Sequence, residues 1–200
     1  MNLTFNDIKN IHKKIRHNVK WTETTFTSSI SEKLGIDTFL KLENRQHTGA
    51  FKIRGSYSKL LSLSEAEKKA GVVAMSAGNH AQGVAMTCQK LRLQSSIVMP
   101  LTTPTIKVNA VRKLGSKVIL SGDTYDEAYN FAIKYAKENN YTFVHPYDDL
   151  EVIAGQGTIA IELINQLEEQ MYKYANQTEF EKAAYCRDKI KELKRKLIEV

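Results

Sequence analysis

Cysteine is scarce in this chain, and the two it has, Cys88 and Cys186, lie far apart and outside any paired spacing. That excludes a disulfide framework and a cysteine-based zinc site, and no metal is expected. Long apolar runs are missing too: none approaches the length of a bilayer span, and polar residues interrupt the N-terminus within its first ten positions, so neither a membrane partner nor a signal peptide is expected and the cytoplasm is the default. No run of glycines occurs, and no sequence repeat. Charge of one sign is not concentrated anywhere. Of the net +7, residues 1–20 hold five Lys/Arg against one Asp, whereas residues 166–200 interleave eight Lys/Arg with seven Asp/Glu. Such interleaving describes a solvated face, so direct contact with nucleic acid is not expected.

What is present is an ordinary globular composition, 42% apolar and 26% charged over 200 residues, enough for one good core or two small ones. Ile8, Ile11, Ile15 and Val19 fall at helical spacing. Residues 21–27 read as extended and 38–42 as a strand. From residue 53 a strand–helix rhythm sets in. Helices are expected over 53–63 and 64–70, the second opened by a Ser64–Glu67 capping box, and then over 79–91, 105–114 and 124–138. Strands are expected over 72–75, 96–99, 117–120 and 141–144. Strands alternating with helices of this length imply an α/β fold, a parallel sheet with helices on both faces. A further helix is expected from Gly155, with a break at Asn176–Glu179.

Two stretches carry chemistry. In Glu43-Asn44-Arg45-Gln46-His47-Thr48-Gly49-Ala50-Phe51-Lys52-Ile53-Arg54-Gly55, a lysine follows a glycine turn at the start of a helix and sits between two apolar residues. Desolvation there lowers a lysine's pKa and frees its amine as nucleophile or base, although an amphipathic lysine whose ammonium reaches water fits the same residues. In Ser76-Ala77-Gly78-Asn79-His80-Ala81-Gln82-Gly83, a strand ends in small residues and turns into a helix, leaving backbone N–H groups free to bind a carboxylate or phosphate. His12, His17 and His47 match no ligand spacing and are expected at the surface.

Together these stretches closely resemble the threonine/serine ammonia-lyase (threonine dehydratase) family of fold type II pyridoxal-phosphate enzymes. A third match, His145-Pro146-Tyr147-Asp148-Asp149 running on to Ala154-Gly155-Gln156-Gly157-Thr158, has the family's order. The resemblance covers about residues 20–164. It implies the small domain of such an enzyme, with pyridoxal 5′-phosphate as cofactor and L-threonine or L-serine as substrate, eliminated to a 2-oxo acid and ammonia. It implies that Lys52 is the catalytic Schiff-base lysine and that Phe51 and Asn79 contact the cofactor, with Ser76, Gly78, Asn79, His80 and Gln156 on the substrate side. Related serine racemases carry a serine where this chain has Ala77, and alanine cannot transfer a proton, which favours elimination. The chain departs from the family at Thr24-Thr25, where Thr-Pro is usual, and in having no tetraglycine loop for the cofactor phosphate, so activity is expected to be incomplete.

Past residue 164 the sequence changes character. Leu167-Glu168-Glu169-Gln170-Met171 and Phe180-Glu181-Lys182-Ala183-Ala184-Tyr185-Cys186-Arg187-Asp188-Lys189-Ile190 resemble the UVR motif, a helical hairpin of the excinuclease B and C subunits. That resemblance implies a protein–protein module, pairing with a UVR-containing protein or a second copy through Phe180, Ala183, Ala184 and Arg187. A fusion remnant without function is the remaining alternative. The expected organisation is an arm over 1–37, a lysine-bearing α/β domain over 38–164 and a hairpin over 165–200. The arm is expected to be loosely attached, and the hairpin independently oriented.

Overall fold

Val72, Val73, Ala74 and Met75 are all buried, because the strand they form, β3 (Val72–Met75), lies inside a parallel sheet covered on both faces. This computed structural model describes residues 3–196. The sheet has four strands in the order β5 (Lys117–Leu120), β4 (Ser95–Met99), β3, β6 (Thr142–Phe143), all parallel. Alternate residues of the central strands feed different cores, as the period-2 geometry requires. Val72, Ala74, Ile97 and Met99 pack under α5 (Asn79–Leu91) and α6 (Thr105–Lys113). Val73, Met75 and Val98 pack under Ala128, Ala132 and Ala136 of α7 (Tyr125–Glu138). Both edge strands are protected, β6 by being two residues long and β5 by exposed Lys117.

The parallel α/β sheet wrapped by helices is thus the expected one, and α5 and β5 have the expected bounds. Capping boxes open α4 (Glu65–Ala70) at Ser64 and α7 at Thr124. A third opens α1 (Phe5–Ile15) at Thr4. Residues 24–41 lie outside the sheet. There β1 (Thr24–Phe26) and β2 (Phe39–Lys41) form an antiparallel pair around α2 (Ser28–Leu34), a helix with no buried residue and hence no periodic signal in the sequence.

Three differences from the sequence reading share one cause, the helix α8 (Leu150–Asn176). It begins five residues before Gly155, because the Asp149 carboxylate accepts from the N–H groups of Glu151 and Val152. The arm is not loosely attached: Ile8, Ile11, Ile15 and Val19 are buried with Ala154 and Ile161 of α8 and with Ile53 and Tyr57 of α3 (Lys52–Ser62). With them goes His12, which is buried rather than at the surface. The hairpin is not independently oriented either. Its first helix is the continuation of α8, past the expected boundary at 164/165, and α9 (Phe180–Lys196) folds back on it with Cys186 and Ile190 buried and Lys194 3.1 Å from Glu168. Among the described residues no helix is long and apolar enough to cross a membrane.

Candidate functional site

Lys52 is the first residue of α3, delivered there by a tight turn in which Thr48 and Gly49 both adopt left-handed backbone, φ 62° and 69°. Its amine donates to the Pro146 carbonyl at 2.8 Å and stands 5.3 Å from the centre of the Phe51 ring. Burial lowers its pKa from the ordinary lysine value. Phe51 is partly exposed beside it.

Pro146 belongs to the loop after β6, which is shaped by His145. The Nδ1 of that ring accepts from the N–H groups of Tyr147 and Asp148, at 3.3 and 2.7 Å. Two residues earlier, the Val144 carbonyl lies 3.0 Å from Nε2 of His80 at the start of α5. One loop therefore receives both the lysine from α3 and the histidine from α5. A carbonyl can only accept, so His80 carries its proton on Nε2, leaving the buried Nδ1 bare and without a partner. Burial chiefly, and then the nearby positive charge of Lys52, push its pKa down to about 4. Its ring is thus neutral and turned inward.

The turn between β3 and α5 is held at its strand end by the Ser76 N–H on the Val98 carbonyl and is closed by the Gly78 N–H donating to Ser76 Oγ at 3.1 Å. Asn79 is exposed at the first position of α5. Gly78 faces open space, where an added Cβ would meet nothing nearer than Ser76 Oγ at 4.0 Å. Free helix N–H groups and the positive end of the helix dipole converge there, an arrangement suited to a carboxylate.

Gln156 is carried by α8. Its Oε1 accepts from the Gly55 N–H at 3.2 Å, so the amide is engaged in the contact between α8 and α3. Its neighbours explain the two glycines. A Cβ at Gly155 would fall 2.6 Å from Arg54 O and from Gly55 Cα, and one at Gly157 would fall 3.0 Å from Ile8. Gly-Gln-Gly-Thr is a helix-crossing surface. Phe180, Ala183, Ala184 and Arg187 gather on α9, with Phe180 68% exposed and Arg187 paired to the adjacent Asp188. Close by, a groove of about 630 Å³ runs between β2 and the two C-terminal helices, lined by Phe39, Leu167, Tyr174, Tyr185 and Leu193, and includes none of the residues around Lys52.

Sequence reasoning missed the charged cluster behind Lys52. Arg54 is fully buried between Glu43 and Glu162, and Lys41 also pairs with Glu162. Arg54 and Glu43 stood inside the quoted lysine stretch, but their partner Glu162 lies on another helix 108 residues from Arg54.

The chain is similar to known proteins. The chain is 47% identical over 165 residues to an L-threonine ammonia-lyase of Thermotoga maritima, a match that takes in 82% of this chain and 41% of that protein. Threonine deaminase isoform 2 of Solanum lycopersicum superposes with a TM-score of 0.74 at 37% identity, covering 83% of this chain and 47% of that one. A serine racemase of Dictyostelium discoideum does so with a TM-score of 0.76 at 35% identity, covering 82% and 53%. The chain thus spans 41% to 53% of the length of these three relatives. Residues 161–196 match the UvrB/uvrC motif. The family model described as pyridoxal-phosphate dependent enzyme matches residues 15–174, and the chain belongs to that family.

Proposed function

We propose that this chain supplies the amine-bearing part of a threonine/serine ammonia-lyase, acting on L-threonine or L-serine to give a 2-oxo acid and ammonia. The observation that carries this reading is the desolvated Lys52 amine, held on the Pro146 carbonyl. The residues present fit the aldehyde side of pyridoxal phosphate: an amine of lowered pKa for the aldehyde, the Phe51 ring beside it, and Asn79 at the opening of α5 to meet the ring hydroxyl. When bound, that group acts as an electron sink that makes the substrate Cα–H acidic.

In this reading the unprotonated Nζ of Lys52 takes the proton from Cα. Free N–H groups at the start of α5, in the Ser76–His80 turn, hold the substrate carboxylate and aim Cα at that amine. His80, neutral and bonded to Val144, serves the site through its backbone and by bracing the loop. Ala77 offers no group to return a proton on the opposite face, which directs the reaction to elimination. No glycine run occurs in the sequence, so the phosphate-holding loop must come from elsewhere, and complete activity is assigned to an assembly that includes it.

The test is to incubate the chain with pyridoxal phosphate, reduce with borohydride and map the modified residue by mass spectrometry. Selective attachment at Lys52, lost in Lys52→Ala, supports the reading; scattered labelling of exposed lysines sinks it. The exposed face of α9 around Phe180 favours a second, concurrent role, in which the hairpin docks another UVR-type hairpin or a second copy of this chain.

A further inference from the structure

Arg54 is wholly buried although its charge is permanent, and its guanidinium engages two carboxylates. Toward Glu43 it presents a side-on pair, Nε to Oε2 at 2.9 Å and Nη2 to Oε1 at 2.7 Å. Toward Glu162 it places Nη1 2.7 Å from Oε1 and Nη2 3.1 Å from Oε2. Lys41 Nζ lies 2.7 Å from Glu162 Oε2, and Thr22 donates its hydroxyl to Glu43 Oε1 at 2.6 Å. Two cations balance two carboxylates, as a dehydrated cluster requires.

The location of the cluster gives it a task. Glu43 and Arg54 bracket the segment that carries Lys52, so their bidentate pair closes that segment at its base. Inside the closed loop Thr48, a β-branched residue, holds left-handed backbone, a strained conformation that persists only when the surroundings enforce it. Glu162 then docks the closed loop onto α8. That same helix begins just after Pro146, whose carbonyl receives the Lys52 amine. The seating of α3 on α8 therefore sets how the amine meets its acceptor. Arg54 is two positions from Lys52, about 200° around the helix, and so acts through the backbone.

We propose that Arg54 and Glu162 are positioning residues for Lys52, holding its amine dehydrated against the Pro146 carbonyl. The proposal rests on the reading of Lys52 as the reactive amine. When the cluster is loosened, the start of α3 shifts, water reaches the amine, and its proton affinity rises toward that of an exposed lysine.

The experiment reacts the full chain with acetic anhydride across pH 7 to 11 and follows the Lys52 peptide by mass spectrometry, with exposed Lys137 as internal reference. In Arg54→Lys, which keeps the charge but loses the fork, and in near-isosteric Glu162→Gln, the pH of half-reaction at Lys52 is expected to rise by about half a unit or more, a threefold change in proton affinity. Lys137 is expected not to move. Thr22→Val leaves all four charges in place and is expected to give a smaller shift in the same direction; it decides the matter should the other two fail to fold by circular dichroism. An unchanged Lys52 profile in the folded variants overturns the proposal. Borohydride mapping of pyridoxal phosphate on the wild-type chain separates the two claims. Attachment at Lys52 with an unchanged profile removes only the positioning role, whereas a shifted profile without attachment removes only the catalytic reading.

Discussion

The Nε2 of His80 lies 3.0 Å from the Val144 carbonyl, two residues before the carbonyl that takes Lys52. Burial keeps this imidazole neutral and lowers its pKa to about 4, although the contact with the Val144 carbonyl by itself favours the charged ring. The unfolded chain takes up a proton as pH drops below the ordinary 6.5, and the folded chain refuses it until about 4. The contribution of His80 to stability is therefore whole above pH 6.5 and lost as pH falls through that window, by on the order of 3 kcal/mol in all. Urea unfolding of wild type is expected to lose about 2 kcal/mol more between pH 7 and 4.5 than unfolding of His80→Asn does. His12 and His47, also lowered chiefly by burial, contribute equally to both proteins. Parallel pH profiles for the two would show that the ring charges freely in the folded state.

Gly155 meets α3 at backbone, with 2.6 Å to Arg54 O and to Gly55 Cα for any added Cβ. Backbone cannot swing aside as a side chain does. Gly155→Ala is therefore expected to lower stability by about 1–3 kcal/mol despite alanine's better helix propensity. A calorimetric midpoint should fall by roughly 2–4 °C for each kcal/mol in a chain of this size. An unchanged midpoint would mean that α3 and α8 stand further apart than described.

On α9 two apolar residues have opposite duties. Ile190 is buried against α8, and Ile190→Ala should cost about 2 kcal/mol or more in thermal or urea unfolding. Phe180 is 68% exposed, and Phe180→Ala should change stability by less than about 0.5 kcal/mol while weakening association with a UVR-type hairpin or a second copy in sedimentation or pull-down. Loss of stability without loss of association in Phe180→Ala would reassign this side chain to the fold.

How far the sequence could be read depended on the range of each interaction. Strands β3 and β4 and helix α5 were legible because continuous apolar runs and a helix-period stripe are local properties. The apolar stripe of α1 was legible as well, yet its destination was not: Ile8, Ile11 and Ile15 pack against Tyr57, Ala154 and Ile161, and nothing near them in sequence announces that surface. Around Lys52, the motif stretches pointed to segments that do converge on the loop after β6. What stayed hidden was the use of the side chains. Gly155 and Gly157 beside Gln156 also serve a close helix crossing, and Gln156 Oε1 accepts from the Gly55 N–H while its buried Nε2 has no partner. The pairing of Arg54 with Glu162 went unread, because a buried ion pair leaves no periodic trace.

Helix α8 is matched by two family models at once, since residues 161–174 fall within both. The two matched regions therefore share one continuous helix. A helix of 27 residues is about 40 Å long, and about 30 Å of it extends beyond the crossing at Gly155. A tilt of about 5° at that crossing sweeps the distal tip through roughly 3 Å, and a comparable push on the tip returns the same small rotation to the crossing. Whatever grips the hairpin thus holds the long arm of a lever, and the fulcrum is the helix that begins with Lys52.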